Sequence, residues 1–187
     1  MFPTFYDPAK VNELYSPDEQ RSFDQGLTAF QRPASEDKQR VLLWLVDMQI
    51  DFVFPAPIGR LSVPNALDDT HRLIEWLYRN VQSVTHVAAS LDTHLPFHIF
   101  YPTWWRNEKG EHPAPYTVIT AQDVHNGIWK PIIESEWSTY YVDTLEHVGK
   151  KQLMIWPFHC MEGTEGRALP RPRRSDRTAR RFRGTGR

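Results

Sequence analysis

The stretch VLLWLVD (41–47) decides the reading of the fold, because it is a continuous apolar run closed by a charge. Such a run suits a strand buried on both faces of a parallel sheet. Working outward, the segment DFVFPAPIGRLS (51–62) is a loop, after which Pro64 opens a helical pattern. Leu67, Leu73, Ile74 and Leu77 fall on one side of that helix and Asp68, Asp69 and Arg72 on the other, with an end near Asn80. VTHVAASLD (84–92) is the second strand, and Ala88, Ala89 and Ser90 let a neighbour approach it closely. Glu136 to His147 carry a helical pattern through Trp137, Tyr140, Tyr141 and Leu145, with Gly149 as the closing residue. QLMIWP (152–157) is the third strand. The order is a βαβαβ unit, and right-handed crossovers place its three strands side by side in parallel. The fold class is therefore α/β.

Residues 1–40 read as an amino-terminal arm with a short helical stretch near Asp18 to Phe30, residues 41–168 as the domain, and residues 169–187 as an arginine-rich disordered tail. Nine arginines lie from Arg167 onward, so residues 1–166 keep 13 of the 22 basic residues and 22 of the 23 acidic ones, a net near −9. Two compositions share one chain. The segment from Thr93 to about Trp129 is rich in Pro, His and Trp, and reads as a long functional loop. No run reaches the roughly 18 to 20 apolar residues of a membrane helix, and the start MFPTFYDPAK lacks the pattern of a secretory leader. The expectation is a cytoplasmic protein with no membrane partner. A single cysteine, Cys160, excludes an internal disulfide and a cysteine-rich zinc site.

Ligands in open α/β sheets bind beyond the carboxyl ends of the strands. There the first strand presents Asp47, the second Asp92 and His94, and the third Trp156 and His159. Asp92, His94 and His159 form a reasonable ligand set for a divalent metal ion, Zn²⁺, Fe²⁺ or Mn²⁺, and alternation along Asp-x-His turns both side chains to one side. Each residue has a plainer alternative. A single loop histidine is more often structural than ligating, and His71, His86, His125 and His147 are assigned that role, with His98 and His112 open. A strand-terminal aspartate often caps the next helix, a role that Asp51 fits better than Asp47.

At these residues the chain resembles the isochorismatase-like cysteine hydrolases, and among them the nicotinamidases. VDMQIDF (46–52), SLDTH (90–94) and IWPFHCMEGTEG (155–166) carry the resemblance, in the family's order and separation. It implies a three-layer, Rossmann-like parallel sheet and a metal-dependent amidohydrolase that converts nicotinamide, or a related small-molecule amide, to the acid and ammonia. By the same resemblance Asp47 is the catalytic proton acceptor, Asp92, His94 and His159 are metal ligands, and Phe52 and Trp156 hold the substrate ring. In that mechanism a thiolate attacks the amide carbonyl, an aspartate takes the thiol proton, and water later hydrolyses the thioester.

The chain departs from the pattern after Ala168. The family continues with a helix, three more strands, a lysine and a cysteine on a helix-opening turn, where this chain turns to arginine, serine, proline and glycine. The expectation is a truncated or frameshifted product without its nucleophile, inactive or nearly so, whose first strand is an exposed edge prone to self-association or homo-oligomer formation. Cys160 sits beside a metal histidine and reads as a small buried hydrophobe. The competing readings are a noncatalytic metal-binding protein, and a polyanion-binding protein acting through the tail. A solvated tail that binds no nucleic acid is the preferred reading of residues 169–187.

Overall fold

The computed structural model describes residues 8, 18–29 and 33–170. The rest of the expected amino-terminal arm and residues 171–187 of the tail lie outside them. Helix α1 (Glu19–Ala29) falls where a short helix is expected, its first turn secured by Asp18 Oδ1, which accepts from the Arg21 amide at 3.0 Å. Strands β1 (Leu42–Leu45) and β2 (His86–Ala89) pair in parallel, with Leu42 opposite His86 and Leu45 opposite Ala89. Between them run the short helix α2 (Ile50–Val53) and the long helix α3 (Ala66–Asn80). Asp68 and Asp69 in the first turn of α3 and Arg79 in its last complement the helix dipole.

The α/β class stands, but two of the expected strands depart from the sequence reading. VLLWLVD is not buried on both faces: Leu42, Trp44 and Val46 are 56%, 64% and 56% exposed, because among the described residues only β2 pairs with β1. Nor does the third strand extend the β1–β2 ladder. It shortens to β6 (Leu153–Met154), which pairs antiparallel with β4 (Val118–Ile119). Tyr116 and Thr117 prolong that contact through hydrogen bonds with Ile155, and Phe100 O accepts from the Trp156 amide at 2.8 Å. Parallel alignment returns at the site end, where His94 and Met161 form a single parallel bridge.

The reason lies in residues 93–129, which are no open loop. They contribute β3 (Trp105–Arg106), β4 and helix α4 (Ala121–His125), and β3 pairs with β5 (Lys130–Pro131). Most of the aromatic content that suggested function is core: Tyr101, Trp104 and Trp105 are buried, the last two among Ile99, Ile119, Val142 and Ile155. Thr120 and Asp123 close α4 with a reciprocal capping box. Helix α5 (Ser135–His147) packs Val142 into the same core. After it, Lys150 rather than Gly149 takes the left-handed backbone, at φ +51°, while Gly149 is needed because a Cβ there would stand 2.7 Å from Leu145 O. A second, smaller core of Ile50, Val53 and Phe54 receives Leu67 from α3 and Ala168.

Candidate metal and substrate site

Two chain segments meet at the site. Asp92 and His94 follow β2, and His159 follows β6. They lie side by side because the His94 amide donates to Cys160 O and the Glu162 amide to His94 O, each at 3.0 Å. His94 Nε2 stands 2.7 Å from Asp92 Oδ2, and His159 Nε2 stands 3.9 Å from the same oxygen. One ligand atom from each of the three residues falls within 4.8 Å of the others. The two imidazole rings meet edge to face, with centroids 4.8 Å apart.

The hydrogen bonds around His159 suit it to ligation. Its Nδ1 lies 2.7 Å from Pro157 O, which can only accept, so Nδ1 carries the proton and Nε2 presents a lone pair toward Asp92 and His94. Burial holds the His159 imidazole below its usual pKa, despite the opposing hydrogen bond to Pro157, and the neighbouring His94 pushes the same way. The neutral ring is the form that binds a metal. Tyr101 supports this residue from below: its hydroxyl donates to His159 O at 2.9 Å and lies 3.4 Å from the His159 amide. Burial pushes the Tyr101 phenol up to about 12, so it remains a donor.

His98 belongs to the same ring cluster, with its centroid 5.4 Å from that of His94, and its buried Nδ1 has no hydrogen-bond partner among the described residues. Burial, and next the proximity of His94, lower its pKa. His112 is placed elsewhere, its Nδ1 2.8 Å from both Pro102 O and Trp105 O. That arrangement is a structural one.

Asp47, Phe52 and Trp156 line one open cavity of about 500 Å³, together with Met48, Leu61 and Val63. Asp47 is exposed and takes a left-handed backbone, at φ +56°. The metal trio does not line this cavity. Phe52 connects the two, with its ring 5.5 Å from that of His159. The six residues singled out from the sequence thus fall into two adjoining groups rather than one pocket.

Cys160 is fully buried, and its Sγ lies 4.0 Å from Gly166 O. Burial, reinforced by Asp51, Asp92 and Asp47, pushes its thiol up to about 12, which leaves almost no thiolate near neutral pH. Asp51 is not the helix cap that the sequence suggested. It lies inside α2, 1% exposed, and accepts from the Cys160 amide at 2.7 Å through Oδ2 and from the Arg60 amide at 3.2 Å through Oδ1. Gln49, which precedes α2, is also buried. Sequence reasoning passed over Gln49 and Tyr101. A lone amide inside the otherwise apolar Met48–Ile50 turn was the available signal for Gln49.

No protein-family model and no curated protein matches the chain. Two solved structures of a yeast nicotinamidase resemble it. The one bound to the inhibitor nicotinaldehyde shares 22% identity, covers 70% of this chain and 48% of its own, and has a TM-score of 0.42. The other shares 20% identity with the same coverage and a TM-score of 0.41. The chain spans about half the length of these structures.

Proposed function

We propose that this chain is a divalent-metal-binding domain of amide-hydrolase type, related in design to the nicotinamidases. Asp92, His94 and His159 are its ligands, and the adjoining cavity takes a small flat amide such as nicotinamide. The observation that carries the reading is the convergence of one carboxylate and two imidazoles within 4.8 Å, next to an aromatic-walled cavity that also presents Asp47. Zn²⁺, Fe²⁺ and Mn²⁺ all suit a mixed imidazole and carboxylate set. When bound, such an ion supplies a Lewis acid for a ring nitrogen or a carbonyl oxygen. Phe52 and Trp156 stack against the flat ring, and Asp47 is the proton acceptor.

The chain on its own does not turn over the amide. Its one cysteine, Cys160, is buried with its thiol held protonated, so Asp47 has no accessible thiol to serve. The reading also includes self-association through the β1 edge that no strand among the described residues covers, where Leu42, Trp44 and Val46 form an exposed apolar ribbon.

The test is a pair of measurements on the purified, metal-loaded chain. Nicotinamide binding followed by calorimetry is expected, and it weakens in Phe52→Ala. Ammonia release is not expected. Release that disappears in Asp47→Ala would show that a nucleophile has been misjudged, and absence of binding would remove the amide site.

A further inference from the structure

We infer that the turn entering α2 is the brace of the metal site, with Gln49 and Asp51 as positioning residues for Asp92 and His159. The inference rests on the metal-site reading above and adds what fixes its affinity. Gln49 is fully buried and uses its whole amide. Nε2 donates to Asp92 O and to Arg167 O, each at 2.7 Å, and Oε1 accepts from the Asp92 amide at 2.7 Å. The backbone of one metal ligand is thus gripped on both sides by a single side chain 43 positions away in sequence. With that backbone fixed, only the two short torsions of Asp92 remain to be set when a metal binds.

Asp51 does the corresponding work on the other segment. Its Oδ2 takes the Cys160 amide, one peptide beyond His159, at the point where Cys160 adopts φ +48°. A non-glycine residue in that region is strained, and it persists only where its surroundings hold it. The buried carboxylate supplies a charge-assisted bond there. Gln49 and Asp51 are two residues apart on one turn, so the turn ties both ligand-bearing segments to the same rigid point. Ligands oriented from outside the coordination shell in this way generally bind metal 10- to 100-fold more tightly than unbraced ones, an order-of-magnitude expectation.

Cobalt(II) titration of the full chain, read by visible absorption, tests the brace in Gln49→Glu and Gln49→Met. The glutamate keeps the shape of the side chain and its acceptor for the Asp92 amide, but turns the donor edge into an oxygen facing two carbonyl groups. Both variants are expected to weaken cobalt binding about 10- to 100-fold and to shift the ligand-field bands, with a far-UV spectrum like that of the parent. A purely structural role would leave the bands of the folded protein in place. Folded variants that bind cobalt within about twofold of the parent, with unchanged bands, overturn the brace alone. A parent chain that binds no cobalt overturns the metal reading and the brace together. Hydrogen exchange on the metal-free parent decides the matter even where the variants do not fold. The Asp92 and Cys160 amides are expected to be protected before metal arrives, and free exchange that slows only on metal binding overturns the inference.

Discussion

Replacing Gly166 by alanine is the most exacting perturbation of the Asp51 contact. A Cβ at position 166 would stand 2.5 Å from Asp51 Oδ1 and closer still to Oδ2, far inside van der Waals contact. Asp51 is 1% exposed and cannot swing into water. Relief of the clash requires the carboxylate to withdraw from the Cys160 amide, which it now meets at 2.7 Å. A hydrogen bond to a charged group contributes about 1.5 to 3 kcal/mol, and overpacking a filled site costs about 1 to 3 kcal/mol. The Gly→Ala change returns roughly 0.4 to 1 kcal/mol by restricting the unfolded chain. The net loss should be about 1.5 to 5.5 kcal/mol, or a fall in Tm of roughly 3 to 20 °C for a chain of this size. Urea unfolding followed by tryptophan fluorescence measures it. The same substitution on an Asp51→Ala background should cost less than about 0.5 kcal/mol, because the clashing group is gone. A Gly166→Ala protein as stable as its parent, or equal costs on both backgrounds, would show that Gly166 is not kept small by the Asp51 carboxylate.

Three further outcomes follow from the same geometry. Cys160, with its thiol pushed up to about 12, should react with iodoacetamide at pH 8 about a thousandfold more slowly than a thiol of ordinary pKa, and alkylation at the free-thiol rate would show it to be accessible. In metal-free protein His159 and His98 both have lowered pKa values, so the folded state favours their neutral forms. Their contribution to stability is complete above the unfolded value of about 6.5 and is lost as pH falls below it, so urea midpoints should drop between pH 6.5 and 5.5, whereas a rising midpoint would contradict the assignment. Trp44→Lys, placing a charge on the 64% exposed ribbon of β1, should shift sedimentation toward monomer, and an unchanged distribution would show that this edge does not drive association.

Much of the frame was legible because it depends on local pattern. The apolar faces of α3 and α5, and the two runs that became β1 and β2, needed no distant information. The partner of β6 was not legible. Two-residue strands carry almost no periodicity, and the pairing of Leu153 with Ile119 is set by a core that the tryptophans at 104 and 105 help to build. Those same tryptophans were misread as signs of function, since composition does not distinguish a buried aromatic from one that lines a pocket. Strand-end position picked out Asp92, His94 and His159, whose ligand atoms converge, while the separation of Asp47, Phe52 and Trp156 into an adjoining cavity depends on the turn at 47–49. Gln49, Asp51 and Tyr101 act through backbone atoms of their partners, and a backbone partner leaves no residue-type pattern in the sequence.

In the proposed site Asp92, His94 and His159 together hold one divalent ion. Calorimetric titration of Zn²⁺ into the metal-stripped full chain tests it most directly, alongside Asp92→Ala, His159→Ala and, as a control away from the site, His147→Ala. One equivalent of zinc per chain is expected, with an affinity unchanged in the control and a loss of about 100-fold or more in each of the other two variants. Absence of saturable binding, or zinc affinity indifferent to Asp92 and His159, would contradict it.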